Sequence, residues 1–316
     1  ACRSEVASAG LPAATSVFFG GGTPSLLPPA ELVGILAEIE RTPDAEVTVE
    51  CNPETVTPAL LEIYLEGGVN RLSFGVQSMV PEVLATLGRE HDPAAVERAV
   101  AAAKGAGFES WSVDLIYGGA GESTTAWELT LQRVLALDPP HVSAYALTVE
   151  AGTPLAAAPD RHPDDDDLAD KYLLAEAMFS RAGLANYEIS NWARPGRECR
   201  HNQLYWQQGN YHGIGCAAHS HHDGRRWWNV RTPERYISLV EAGMPVVSAE
   251  DVLDEASRAR EALQLALRTR EGVPAEAVAA SERLRLGGLL EEAGEGRLRL
   301  SVRGRLLANE VALALL

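Results

Sequence analysis

The sequence predicts an α/β protein built around a parallel sheet. Three observations predict it. Strand and helix patterns alternate five times over about 150 residues. The strands read as continuous apolar runs, as in sheets covered on both faces. Successive strands also end on polar residues. A sheet of this kind, open or closed into a barrel, connects its strands by right-handed crossovers and gathers active groups at their C-terminal ends.

The elements follow in order. Residues 16–19 form the first strand and run into Gly20-Gly21-Gly22-Thr23-Pro24, where backbone can approach a ligand that any Cβ would block. Residues 28–40 carry Leu32, Ile35, Leu36 and Ile39 at helical spacing. Residues 47–51 form the second strand, ending Glu50-Cys51-Asn52-Pro53. Thr57 caps a helix that starts at Pro58 and stops near Gly67-Gly68. Residues 71–76 form the third strand, ending at Gln77-Ser78, and a helix spans 94–105. Residues 110–115 form the fourth strand and carry Asp114; a helix over 124–137 and a fifth strand over 141–149, which includes Thr148, complete the pattern. Thr23, Glu50, Gln77, Asp114 and Thr148 thus mark five strand ends.

Beyond Glu150 the pattern changes. Residues 154–163 read as a loop, and Asp164 or Asp165 caps a helix bearing Leu168, Tyr172, Ala175 and Phe179. Residues 186–229 are dense in Trp, Tyr, His and Gly without a regular period, a composition that often lines pockets. Residues 256–269, 274–283 and 286–293 read as three short helices, followed by a β wing over 297–302 and a last helix, a winged-helix-like outline. Acidic residues balance its arginines, which favours a packing or lid module over a DNA reader.

Composition narrows the function classes. The chain has 316 residues, 46% hydrophobic, enough for a sizeable core. A net charge of -17 argues against general nucleic-acid binding. No run of about 18 apolar residues predicts a membrane span. Cys2, Cys51, Cys199 and Cys216 form neither a C-x-x-C pair nor a disulfide framework, so a reducing, cytoplasmic location is expected. The start Ala1-Cys2-Arg3-Ser4 lacks a signal segment and an initiator Met, as expected of a chain that begins inside a longer one.

Taken together, Phe18-Phe19-Gly20-Gly21-Gly22-Thr23-Pro24-Ser25, Glu50-Cys51-Asn52-Pro53, Asn70-Arg71-Leu72-Ser73-Phe74-Gly75-Val76-Gln77-Ser78 and Val113-Asp114-Leu115-Ile116-Tyr117-Gly118 resemble the oxygen-independent coproporphyrinogen III oxidase family of radical S-adenosyl-L-methionine (SAM) proteins. The resemblance continues through Ile189-Ser190-Asn191-Trp192-Ala193-Arg194-Pro195-Gly196 to His219. It implies a partial (β/α)6 barrel that binds SAM and a [4Fe–4S] cluster. Gly21, Gly22 and Thr23 would meet the methionine end of SAM, and Glu50 its ribose hydroxyls. Gln77, Arg89, Asp114 and Thr148 match further cofactor positions. The family holds its cluster with three cysteines spaced C-x-x-x-C-x-x-C, ahead of the Gly-Gly-Gly turn. Here 19 residues precede Gly20 and contain one cysteine, Cys2. The resemblance therefore implies a barrel without its first strand and cluster loop, either an N-terminally truncated chain or a member that has lost the cluster. As given, the chain is not expected to cleave SAM reductively.

The family has two functional branches. His201-Asn202-Gln203-Leu204-Tyr205-Trp206 resembles the H-N-x-x-Y-W motif of the heme-chaperone branch. That implies His201 as ligand to heme iron, with Asn202, Tyr205 and Trp206 around the macrocycle. Cys199 is a rival ligand, His212, His219, His221 and His222 read as pocket or surface residues, and Arg225, Arg226 and Arg231 are either propionate partners or surface charge. The expected function is heme binding and transfer to recipient haem proteins, membrane-associated ones included, with no nucleic-acid partner. The alternatives are coproporphyrinogen III oxidation and a SAM-binding scaffold without heme. The expected domains are the barrel over 1–160, the heme-motif segment over 161–245 and the winged-helix-like module over 246–316.

Overall fold

A computed structural model describes residues 1–89, 91–278 and 281–315. The chain opens with α1 (Cys2–Ala9), β1 (Ala14–Phe19), α2 (Pro29–Ala37), β2 (Arg41–Cys51), α3 (Pro58–Glu66), β3 (Arg71–Gln77), α4 (Pro81–Thr86) and α5 (Pro93–Ala106). It continues through β4 (Ser110–Tyr117), α6 (Thr124–Ala136), β5 (His141–Ala146), α7 (Asp165–Arg181), β6 (Ala185–Glu188), β7 (Asn191–Ala193) and α8 (Arg200–Trp206). The remainder holds β8 (His219–His222), β9 (Arg225–Asn229), α9 (Pro233–Glu241), β10 (Val247–Val252), α10 (Glu255–Leu267), β11 (Val273–Pro274), α11 (Ser281–Leu286), β12 (Leu290–Gly294), β13 (Arg297–Leu300), α12 (Val302–Leu306) and α13 (Ala308–Ala314).

The main sheet is a curled half barrel of seven strands in the order β1-β2-β3-β4-β5-β7-β6. Strands β2 to β5 are parallel, with Glu50 beside Ser73, Ser73 beside Ser112 and Asp114 beside Ser143. Strand β7 then runs antiparallel to β5, and β6 antiparallel to β7.

Packing groups the chain into two compact units. One comprises Ala1–Val17, Ala30–Glu46 and Cys199–Leu316; the other comprises Phe18–Pro29 and Val47–Glu198. The core of the second unit holds Leu72, Phe74, Val113 and Leu115, with Trp127 against Tyr117 and Trp192 against both Tyr172 and Phe179. The first unit buries Leu32, Leu36, Tyr236, Leu267, Leu298 and Val311, and contains the small sheets β10-β9-β8 and β11-β13-β12.

Capping chemistry explains the helix starts. Thr57, Asp92, Ser123, Asp164 and Asp254 each accept a backbone N–H of their own first turn, from Leu60, Ala94, Ala126, Asp167 and Ser257. The acidic stretch at 164–167 is thus a helix start, as expected.

The structure corrects three expectations. Strands β3, β4 and β5 are not continuously apolar. They alternate: Leu72, Phe74, Trp111, Val113, Leu115, Val142 and Ala144 are buried apolar, whereas Ser73, Gly75, Ser112, Asp114 and Ser143 occupy the intervening positions. A period-two strand puts its polar set on one face and its apolar set on the other. Second, residues 274–278 do not form an α-helix and residues 286–293 do not form one helix: α11 covers Ser281–Leu286 and β12 covers Leu290–Gly294. Pro274 ends β11, and Gly287-Gly288 separates α11 from β12, because two glycines give up too much backbone entropy to sit inside a helix; Ala279 and Ala280 lie outside the described residues. Third, residues 186–229 are more regular than expected: they hold β6, β7, α8, β8 and β9.

Candidate functional site

The first constellation forms at the strand ends of the second unit. Glu50 lies at the end of β2, and its carboxylate accepts the Gly21 N–H at 3.3 Å. A Cβ on Gly20 would stand 3.0 Å from the Glu50 carboxyl carbon and 2.6 Å from the Phe18 ring, and Gly21 has φ +105°. The turn therefore needs glycine at position 20 for closeness and at position 21 for backbone conformation. Ser25, which is buried, ties this turn to the end of β2 by accepting the Asn52 N–H at 3.0 Å and the Thr55 hydroxyl at 2.6 Å.

Asp114 on β4 accepts the Ser73 hydroxyl at 2.6 Å. Burial raises the pKa of both carboxyl groups, and the charge of Asp114 raises that of Glu50 further. Two acids that oppose each other's ionisation form a place where a cation is stabilised. At Gly21 and Gly22, unlike Gly20, the space where a Cβ would stand is open.

The remaining predicted positions divide. Gln77 takes φ +63° at a β-bulge, so its amide folds back to 3.0 Å from where a Gly75 Cβ would lie. A non-glycine residue held there is a strained feature of the kind found at functional sites. Thr23 is half-buried. Arg89 and Thr148 are exposed, and among the described residues neither is hydrogen-bonded to Glu50 or Asp114.

The cysteines do not fit an iron–sulfur cluster. Cys51 is buried in β2, where desolvation and the neighbouring Glu50 charge push its thiol up to about 12. Cys199 is buried against Glu46, and Cys2 and Cys216 are half-buried. Among the described residues no group of three or more His, Cys, Asp or Glu side chains can hold a metal ion. Anaerobic iron–sulfur reconstitution of these 316 residues is expected to give no stable [4Fe–4S] absorption. A near-stoichiometric cluster would refute this.

The second constellation lies on α8 in the first unit. His201 and Tyr205 are four residues apart and so share a helix face. The His201 ring is held at both nitrogens: Nδ1 is 2.9 Å from the Ser16 hydroxyl and Nε2 is 3.1 Å from the Tyr205 hydroxyl. Burial lowers its pKa, which favours the neutral imidazole. Tyr205 stands edge-on to His201 and to Tyr211, with ring centroids at 5.1 and 4.7 Å. The Trp206 Nε1–H is buried without an acceptor among the described residues, an orphaned donor that a ligand acceptor would satisfy. Asn202 is half-buried on the same helix.

Sequence reading missed Glu46 and Ser16. The buried Glu46 carboxylate accepts the Arg200 N–H at 3.1 Å, the His201 N–H at 2.9 Å and the Cys199 thiol at 3.4 Å. Cys199, the rival ligand, is thus turned toward Glu46. Arg225 and Arg226, the propionate candidates, already pair with Glu250 and Glu261. His221 donates from Nδ1 to the Gly209 carbonyl at 2.9 Å and accepts the Gly224 N–H at Nε2, a structural role. His219 stacks on Trp228 at 5.7 Å. Among the described residues no helix is long and apolar enough to cross a membrane.

Comparison with known proteins agrees with this geometry. Residues 4–134 match the radical SAM superfamily. The heme chaperone HemW of Mycobacterium tuberculosis (strain ATCC 25618 / H37Rv) is 42% identical over 328 residues, covering 99% of this chain and 84% of that protein. HemW of Bacillus subtilis is 34% identical, covering 98% and 87%, and HemW of Escherichia coli is 43% identical over 208 residues, covering 65% and 55%. Among solved structures, coproporphyrinogen III oxidase (HemN) from Escherichia coli matches with a TM-score of 0.83 at 22% identity, over 99% of this chain and 81% of that one; at that identity it shows the fold alone. The chain belongs to the HemW heme chaperone family of the radical SAM superfamily.

Proposed function

We propose that the chain is a heme chaperone, which takes up heme as cargo at α8 and passes it to recipient haem proteins. The observation that carries this reading is the imidazole of His201, held at both nitrogens on a helix that also presents Tyr205 and Trp206, with burial lowering its pKa. A neutral imidazole is the usual axial ligand of heme iron. The rings of Tyr205 and Trp206 offer flat apolar surface to a macrocycle, while Asn202 and the Trp206 Nε1–H offer donors to its propionates.

The strand ends supply a SAM site. SAM supplies a sulfonium cation and a ribose diol when bound. The Gly21-Gly22 backbone gives it room, Glu50 accepts from the diol, and Asp114 adds the second negative charge. Gln77, Arg89, Thr23 and Thr148 complete the proposed site, Arg89 through a carboxylate clamp. Coproporphyrinogen III oxidation is not favoured, because the His201–Trp206 segment resembles the heme-chaperone branch and the likeness to HemN is one of fold.

A ferric heme titration tests the cargo site. Wild-type chain is expected to shift the Soret band with saturable binding, and His201→Ala to weaken that affinity at least tenfold, the loss of about 1.4 kcal/mol or more. Equal spectra and affinities would remove His201 from the role.

A further inference from the structure

We infer that Ser16 and Glu46 are positioning residues for His201, Ser16 fixing the imidazole tautomer and Glu46 fixing the helix that carries it. The inference rests on the reading of His201 as the heme ligand.

Both residues lie on strands. Ser16 is on β1 and Glu46 on β2, which are neighbours in the sheet. The first backbone N–H groups of a helix have no partner within it. On α8 the carboxylate of Glu46 accepts two of them, from Arg200 and His201. Its third donor is the Cys199 thiol, which fixes the residue just before the helix. The main chain of His201 is thereby anchored to β2 at 2.9 Å, and its ring to β1 at 2.9 Å.

The two ring contacts are not equivalent. A phenol is a far stronger acid than a serine hydroxyl, so Tyr205 is the better donor to a basic ring nitrogen. Tyr205 therefore donates to Nε2, and the Nδ1–H donates to Ser16. Nε2 becomes the basic nitrogen, and its partner Tyr205 is 40% exposed. Iron at Nε2 replaces one hydrogen bond, that from Tyr205, while the Nδ1–H to Ser16 persists. A second partner of this kind sets ring orientation and raises ligand basicity, and its loss typically lowers metal affinity about 10- to 100-fold.

The experiment combines ferric heme titration with 15N NMR of the imidazole in the heme-free protein. Ser16→Ala is expected to weaken heme affinity about tenfold or more and to mix the two His201 tautomers. Ser16→Thr, which keeps the hydroxyl, is expected to restore both. Glu46→Gln puts an amide NH2 among three donors and is expected to weaken heme binding while leaving the fold intact. Wild-type affinity in Ser16→Ala and Glu46→Gln, beside loss in His201→Ala, would overturn the inference and leave the His201 reading standing. Wild-type affinity in His201→Ala would overturn both. An Nε2–H tautomer in the heme-free protein would overturn the role of Ser16, and a Glu46→Gln chain that fails to fold would make Glu46 a structural residue instead.

Discussion

Replacing Lys171 by Met is expected to destabilise the protein by about 3–5 kcal/mol, read as a lower urea or thermal midpoint. The Lys171 and Glu122 side chains are both fully buried, with 0% exposure. Lys171 Nζ donates to the Glu122 carbonyl at 2.7 Å and to Asp167 at 2.6 Å, and stands 3.5 Å from the Glu122 carboxylate. Glu122 in turn accepts the Gly118 N–H at 2.7 Å. Removing the ammonium leaves a buried carboxylate without its counter-charge, and desolvation already raises the Glu122 pKa. With Lys171 gone, that pKa rises further above the unfolded value. The defect is therefore smallest at low pH, where Glu122 is protonated in both states, and grows as pH rises. Adding Glu122→Gln in the Lys171→Met background is expected to recover part of the loss near neutral pH. A pH-independent loss that Glu122→Gln does not touch would contradict the account.

Asp114→Asn is expected to act in opposite directions on stability and binding. Burial is the main cause that raises the Asp114 pKa, as it is for Glu50. A carboxyl whose folded pKa lies above its unfolded value contributes stability at low pH and loses it as pH rises through the folded value. At neutral pH the charge therefore costs stability, and an isosteric amide that still accepts from Ser73 is expected to raise the melting temperature. The same change removes one of the two negative charges proposed to face a sulfonium. Affinity for SAM is expected to fall about tenfold or more, since a hydrogen bond or contact to a charged group is worth ~1.5–3 kcal/mol. Glu50→Gln is expected to weaken SAM binding likewise, and wild-type affinity to fall as pH drops toward the raised carboxyl values. A variant that loses stability and keeps affinity would reverse the assignment. Calorimetric titration and a thermal melt read both signs.

Much of the fold was legible because its signals are local. The caps at Thr57 and Asp164, the glycine turn at 20–22 and the end of β2 at Glu50 are set by residues within a few positions of one another, whereas β4 runs on past Asp114 to Tyr117. The alternation of β3 to β5 was in the sequence too, as Ser73, Gly75, Ser112, Asp114 and Ser143, but the apolar neighbours masked it. What stayed hidden depends on distance along the chain. Ser16 and His201 are 185 residues apart, and Glu46 and His201 are 155 apart. A serine and a glutamate on strands carry no sign that they hold a histidine so far away. The positive φ of Gln77 was equally invisible, since glutamine has no preference for that region.

The cargo site has one direct test by chemical rescue. His201→Gly is expected to lose the wild-type ferric heme spectrum, and added imidazole to restore it by filling the vacated space beside Ser16. A full wild-type spectrum from His201→Gly without imidazole would show that another of the eight histidines, or Cys199, binds the iron, and would contradict the account.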